Sequence, residues 1–335
     1  MPDLTPLISV IVPIRNEEHY IQKCLNSILN QTLDSEHYEI LVVDGMSRDQ
    51  SRQLVTELAQ AHRQICLLDN PHQTAPYAMN IGLRHAKGQY IVRVDGHCEI
   101  ESDYLQQCLS VLEETAAGCV GGSLKNVGTN YWSRAIALGM SSPFGVGNAL
   151  FRYSSQATEV DTLAFGMYLR EVTECVGSFN EELTRNQDDE YNYRVRLAGY
   201  KIWMDPRIRS TYYTRGDLKS LWRQYFQYGF WKIKVLELHP GSLKIRHLVP
   251  GIFVSSLLLM LALSLFLQTS FYLFLILTPY LLLDMCFAVY QSRKSPQYFP
   301  ALIVIFPTLH LAYGSGFLQA ILKKYLLRVS QTRKS

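Results

Sequence analysis

Charge is distributed so unevenly along this chain that it cannot be a single soluble domain. Residues 1–247 mix charged and apolar side chains, whereas across 248–322 the only charged residues are Asp284, Arg293 and Lys294. Three apolar stretches fill that region, at 248–267, 271–289 and 299–322. Each approaches or exceeds the roughly 20 residues that cross a bilayer. One such stretch fits a buried core helix equally well; three in succession predict a membrane domain. The mean hydropathy of −0.01 therefore describes neither part of the chain.

The basic residues suggest an orientation. Lys232, Lys234, Lys244 and Arg246 precede the first stretch, Arg293 and Lys294 lie in the second connection, and the first connection (268–270) is uncharged. The positive-inside rule then predicts a multi-pass protein of the inner (cytoplasmic) membrane, with the N-terminal domain in the cytoplasm. The tail is also basic, through Lys323, Lys324, Arg328, Arg333 and Lys334. Three full crossings would place it outside. The third stretch is therefore expected to bend or re-enter at Pro307 or at Gly314-Ser315-Gly316, leaving 323–328 at the inner headgroups. The formal charge, 32 basic against 29 acidic residues in 335, is too small to imply a nucleic-acid partner. Seven dispersed cysteines without a C-x-x-C pair read as reduced thiols. The first residues, MPDLTPLISV, do not resemble a signal peptide.

The N-terminal part alternates two periodicities. Runs at 8–14, 38–43, 65–68 and 90–94 are short, apolar and β-branched, and helical stripes occupy 17–29, 47–62 and 75–86. This βαβαβαβ order predicts an α/β fold with a parallel sheet covered on both faces. Ligands of such sheets sit beyond the carboxyl ends of the strands. The residues there are Arg15-Asn16-Glu17, Asp44, Asn70 and Asp95-Gly96-His97. Any one of them is an ordinary turn residue; four polar strand ends in a row point to a site. Carboxylates there accept from ribose hydroxyls or a base N–H. Asp95-x-His97 suits a divalent cation, Mg²⁺ or Mn²⁺, that would carry the charge of a diphosphate, although a capped turn is the plainer reading of the motif alone. Gln187-Asp188-Asp189-Glu190 opens a further helix. Acids there suit the helix dipole, or supply a general base. Gly145-Val146-Gly147 lacks the third glycine of a dinucleotide fingerprint, and no P-loop occurs.

Taken together these motifs resemble family 2 glycosyltransferases of GT-A fold. ISVIVPIRNE (8–17) is similar to the family's first strand and P-x-x-N-E, and LVVDGMSRDQS to its V-D-D-G-S-x-D element. Ala78-Met79-Asn80-x-Gly82 is similar to its R-N-x-G helix, Asp95-Gly96-His97 to D-x-D, and QDDEYNYRVRLAGY to its E-D-x-[DE] motif. The details RVDGHC and RQYFQYG are similar to the succinoglycan-biosynthesis type of membrane glucosyltransferase.

The resemblance implies a GT-A catalytic domain over 1–215, Rossmann-like with a mostly parallel sheet. An amphipathic interfacial segment (216–247), a helical membrane domain (248–322) and a basic cytoplasmic tail (323–335) would follow. It implies inverting transfer of a hexose from a nucleotide-diphosphate sugar, UDP-linked, to a polyprenyl-diphosphate-linked saccharide. Asp188 would be the base, and Asp95 and His97 would hold Mg²⁺ or Mn²⁺. Pro13, Arg15, Asn16, Glu17, Asp44, Asn80 and Asp95 would form the nucleotide-sugar site, with Asp189, Trp222 and Gln224 towards the acceptor.

His97 departs from the second Asp of D-x-D, Gln187 from the usual Glu, and Gln224 opens no Q-x-x-R-W motif. A sugar nucleotidyltransferase, or a transporter subunit with a nucleotide-binding domain, is the alternative. Residues 215–234 alternate basic and aromatic side chains, as an interfacial helix or one packed on the catalytic domain would. Asp284 is costly within a span and is expected to pair with a polar group of the bundle such as His310, or to approach lipid phosphates through water.

Overall fold

The computed structural model describes residues 5–332. In chain order its elements are β1 (Ile8–Ile14), α1 (Ile21–Leu29), β2 (Tyr38–Asp44), α2 (Ser51–Ala61), β3 (Ile65–Asp69), α3 (Ala75–His85), β4 (Tyr90–Arg93), β5 (Cys98–Ile100), α4 (Tyr104–Thr115), β6 (Cys119–Val127), α5 (Tyr131–Met140), α6 (Pro143–Val146), β7 (Thr158–Glu159), β8 (Gly166–Leu169), α7 (Arg170–Val176), α8 (Gln187–Leu197), β9 (Ile202–Tyr213), α9 (Leu218–Leu238), α10 (Ile245–Phe266), α11 (Phe271–Ser292) and α12 (Phe299–Thr332). They form two units, Met1–Lys125 with Leu150–Tyr213, and Asn126–Ala149 with Thr214–Ser335. The catalytic unit is thus discontinuous. Residues 126–149, expected inside it, belong with the apolar helices.

The first unit is built on one sheet in the order β3-β2-β1-β4-β8-β6-β9-β5, with β7 against β9. β1 pairs in parallel with β2 and β4, and β2 with β3. That half matches the alternation of the sequence. The other half is antiparallel where β8 meets β4 and β6, and where β9 meets β5 and β7. The sheet is therefore mixed, which corrects the expectation of a mostly parallel one. Every residue of β1 is buried. α1 covers the sheet through Ile21, Cys24, Leu25 and Ile28, all fully buried, each large apolar side chain contributing about 1.5–3 kcal/mol.

Two helices begin later than their apolar stripes suggest. α1 starts at Ile21 and α2 at Ser51, because the segments before them spend their polar side chains on backbone N–H groups, in competition with helix. Asn16 (φ 55) and Met46 (φ 56) turn left-handed there.

In the second unit, α10, α11 and 296–325 are long and apolar enough to cross a membrane. Pro307 and the Gly-Ser-Gly step do not interrupt α12, so the helix is not broken where a bend or re-entrant turn was expected. A Cβ on Gly316 would lie 2.0 Å from the Phe226 carbonyl, and one on Gly229 would lie 2.0 Å from the Tyr313 carbonyl. These glycines are a packing seam on which α9 and α12 touch backbone to backbone. Basic side chains follow the seam: Lys232 is buried, Lys323 lies over the Phe230 ring, and Lys324 pairs with Glu237 at 3.1 Å. So α9 packs on α12, and Lys232 does not reach outwards as an interfacial helix would place it.

The tail residues Arg333 and Lys334 lie outside the described residues. Asp284 is 1% exposed and neither carboxylate oxygen has a hydrogen-bond partner. His310 does not pair with it; its ring nitrogens meet the Tyr280 hydroxyl at 2.8 Å and the Phe144 carbonyl at 2.7 Å.

Candidate active site

The ends of β1 and β2 are sewn together. Asp44 is fully buried; its Oδ1 accepts from the Ser47 N–H (3.1 Å) and hydroxyl (2.6 Å), and its Oδ2 from Arg52 (3.1 Å). Arg52 also donates to Asp69 at 2.6 Å. Asn16 donates its N–H to Ser47 Oγ and accepts the Arg48 N–H, each at 2.9 Å. Glu17 donates its N–H to Ser51 Oγ at 2.6 Å. Asp44 thus shapes this loop, with one hydrogen bond on Oδ2 and two on Oδ1. Arg15 and Asn16 are exposed, and Arg15 donates to Gln73 at 2.6 Å. Pro13 is buried within β1. Asn70 closes a turn, donating to Thr74 and accepting from His72.

Asn80 is likewise hydrogen-bonded within the fold. It is 2% exposed, donates to the Phe179 carbonyl (2.9 Å) and to Glu181 (2.8 Å), and accepts the Phe179 N–H (2.7 Å). Phe179 stacks on Tyr191 at 3.9 Å between centroids. Arg194 ties Glu190 (2.7 Å) to the carbonyls of Val176 and Ser178. These residues brace the loop that delivers α8, and Asn80 is part of that brace.

Asp95 and His97 follow β4. Asp95 accepts from Arg93 Nε at 2.8 Å. Burial works to raise its carboxyl, yet Arg93 and His97 outweigh it and hold it below the usual carboxylate range. His97 Nδ1 lies 3.0 Å from Glu17 Oε1. With the proton assigned to Nδ1, Nε2 keeps a lone pair, the arrangement that orients metal-binding imidazoles. No group of three or more His, Cys, Asp and Glu gathers among the described residues. One carboxylate and one oriented imidazole do fit a cation whose remaining positions are filled by phosphate oxygens and water. The imidazole suits Mn²⁺ better than Mg²⁺.

Asp188 lies in the first turn of α8, after Asn186 in the left-handed conformation (φ 60). Its Oδ1 accepts the Asp189 N–H at 3.0 Å. Burial raises its carboxyl above the usual range, Asp189 and Asp95 add to the rise, and Arg93 opposes it. Asp188 and Asp189 are half-buried. The first unit thus brings Glu17, Asp95, His97 and Asp188 into one electrostatic neighbourhood. Trp222 and Gln224 lie on α9 in the second unit; Trp222 is exposed, and Gln224 donates to Tyr228 at 3.1 Å.

Arg93 escaped the reading of the sequence. The signal was present: a charge inside the apolar run YIVRV, two residues before Asp95.

A model of glycosyl transferase family 2 matches residues 9–177, half of the chain. The chain belongs to that family. The match gives no support to the nucleotidyltransferase and transporter alternatives. A dolichyl N-acetyl-alpha-D-glucosaminyl phosphate 3-beta-D-2,3-diacetamido-2,3-dideoxy-beta-D-glucuronosyltransferase of Methanococcus voltae is 29% identical over 324 residues, 94% of this chain and 97% of its own. The succinoglycan biosynthesis protein ExoA of Rhizobium meliloti is 27% identical over 243 residues, 72% of this chain and 73% of its own. Among solved structures, the mannosyltransferase PcManGT from Pyrobaculum calidifontis, in complex with GDP-Man and Mn²⁺, aligns with a TM-score of 0.58 at 18% identity over 95% of this chain and 88% of its own. S. aureus TarS 1–349 with UDP-GlcNAc aligns at 0.52 and 18% identity, over 94% and 92%. Such likeness is one of fold, the GT-A fold expected of this family 2 glycosyltransferase.

Proposed function

We propose that this protein is an inverting glycosyltransferase of the inner (cytoplasmic) membrane. It moves a hexose from a nucleotide-diphosphate sugar, UDP-linked, to a saccharide carried on a polyprenyl diphosphate, in exopolysaccharide or cell-surface glycan synthesis. The two relatives, one named for a dolichyl-phosphate-linked sugar and one for succinoglycan, support the acceptor class. The observation that carries the reading is Asp188, a half-buried carboxylate in the first turn of α8 whose Oδ1 accepts the Asp189 N–H, with burial raising its carboxyl. A carboxylate so placed suits a general base.

In this reading Asp188 takes the proton of the acceptor hydroxyl while that oxygen bonds to the anomeric carbon. The bond from that carbon to the donor diphosphate breaks on the opposite face, and the electron pair leaves with the diphosphate. One base suffices, unlike the two carboxylates of a glycosidase. Asp95 and His97 would hold the divalent cation, which when bound supplies positive charge beside the leaving diphosphate. Glu17 keeps His97 turned towards it. Asp189, Trp222 and Gln224 would serve the acceptor.

Labelled transfer from a panel of nucleotide sugars into lipid extracts tests the reading. UDP-hexoses are expected to label a polyprenyl-linked product. Asp188→Asn should lower transfer by about 10²–10⁴-fold while binding of UDP persists. Full transfer by that variant would remove the base assignment.

A further inference from the structure

Arg93 has no role in the mechanism above, yet its side chain is the least ordinary in the site. It stands at the end of β4, 7% exposed. Its Nε donates to Asp95 Oδ1 at 2.8 Å, and its Nη1 is buried without a partner. The carboxylates whose charges act on it are those of Asp95 and Asp188. A buried guanidinium needs compensation for lost hydration, and a buried N–H left unmade carries a desolvation cost of its own. A side chain needed only to fill the core behind β4 would be apolar. Here a planar cation with several fixed donors stands where the two acids of the transfer reaction share one field.

We propose that Arg93 is a positioning residue serving both acids. Through Nε it fixes the rotamer of Asp95, so that the other carboxylate oxygen faces the donor diphosphate and its cation. Through Nη1, whose N–H groups are buried and still to be satisfied, it offers a donor to Asp188 when substrates are bound. Loading the donor on Asp95 and setting Asp188 against the acceptor hydroxyl are then coupled through a single guanidinium. The coupling has a particular use in this chain. Where D-x-D carries a second carboxylate, His97 brings none, so a fixed cation beside Asp95 offsets the two acids that remain and keeps the pocket receptive to a doubly charged diphosphate.

This inference rests on the donor-site reading above, and the test separates the two. The full-length protein in detergent is titrated with UDP and with GDP, with Mn²⁺ present, by calorimetry, and initial rates give kcat and the donor KM. Arg93→Lys keeps the charge without the fork; Arg93→Gln keeps an N–H towards Asp95 without the charge. Each is made alone and together with Asp95→Asn. For Arg93→Lys the expected result is an unchanged melting temperature, nucleotide binding weakened roughly tenfold or more, and a fall in kcat beyond the rise in KM. Arg93→Gln should lower kcat further. In the Asp95→Asn background neither substitution should weaken nucleotide binding again. Additive losses in that cycle, or wild-type kcat and KM in Arg93→Gln, would overturn the proposal. Failure of both variants to fold would also overturn it, assigning Arg93 to the fold alone. A wild-type protein that binds neither nucleotide refutes the donor-site reading instead.

Discussion

Glu17 and Asp188 show what the site asks of single residues. Glu17 was legible in the sequence as part of a strand-end motif, but not as the partner of His97, because the 80 positions between them are closed only by the fold. Its carboxylate fixes which imidazole nitrogen faces outwards. Glu17→Gln should therefore weaken Mn²⁺ binding in the presence of UDP by about 10–100-fold, read by electron paramagnetic resonance of the free ion; unchanged affinity would remove Glu17 from that role. Asp188 makes a prediction of opposite character. A base must be ionised, and burial places its ionisation above the ordinary range. kcat should fall as pH drops through that raised value, before the ordinary Asp value of ~3.9 is reached. A kcat that stays flat down to that ordinary value would contradict it. The sign for folding runs the other way. The folded protein holds this proton more tightly than the unfolded chain, so the ionised side chain opposes folding above the unfolded pKa. Asp188→Asn, though inactive, should melt no lower than the wild type at neutral pH.

At the scale of elements, the sequence was clearest where one residue type repeats with one period. The parallel strands and the stripes of α1, α2 and α3 were readable because burial on β1 and on one face of each helix leaves a periodic trace. The antiparallel half was not, since β5, β7 and β8 are too short to carry a period. Asp44 and Asn80 were read as ligand contacts because their types suit one. The folded chain adds what the residue types could not show, that Ser47, Arg52 and the 179–181 loop hydrogen-bond to them. Gly314-Ser315-Gly316 misled for a related reason. Small residues in an apolar helix signal either a break or a close neighbour, and the neighbour lies some 90 residues earlier, in α9. Replacing Gly316 by Leu would drive a side chain into the Phe226 carbonyl. The expected cost is at least the ~1–3 kcal/mol of an overpacked core, seen as a lower melting temperature in detergent; an unchanged one would mean that α9 and α12 do not meet there.

The whole molecule turns on which side of the bilayer the two ends of α12 lie. Counting apolar stretches gives three crossings and puts a basic C-terminus outside, against the distribution of charge. The contacts of the second unit bear on this. α10 and α11 form a hairpin around the uncharged turn at 268–270, with the Leu273 N–H on Ser264 at one end and Phe253 stacked on Tyr280 further along. The start of α12 leaves the open end of that hairpin, next to Arg293, Lys294 and the bond from Tyr131 to the Gln297 carbonyl. Its far end is tied by Lys324 to Glu237, in the helix that precedes the first span. Midway, a Cβ on Gly314 would lie 2.2 Å from the carbonyl of Pro250, itself only five residues into α10. With Gly314 at Pro250 near the open end and His310 on Tyr280 in mid-hairpin, a course of α12 along the membrane face is the one that would keep the start of α12 and Lys324 on the same side. On that course only α10 and α11 would cross, and every basic cluster would stay on one side. An epitope inserted at Thr269 should be reached by antibody in intact cells or spheroplasts, and one appended after Ser335 only after permeabilisation. Detection of the C-terminal epitope without permeabilisation would restore the third crossing and leave Lys324 unable to meet Glu237.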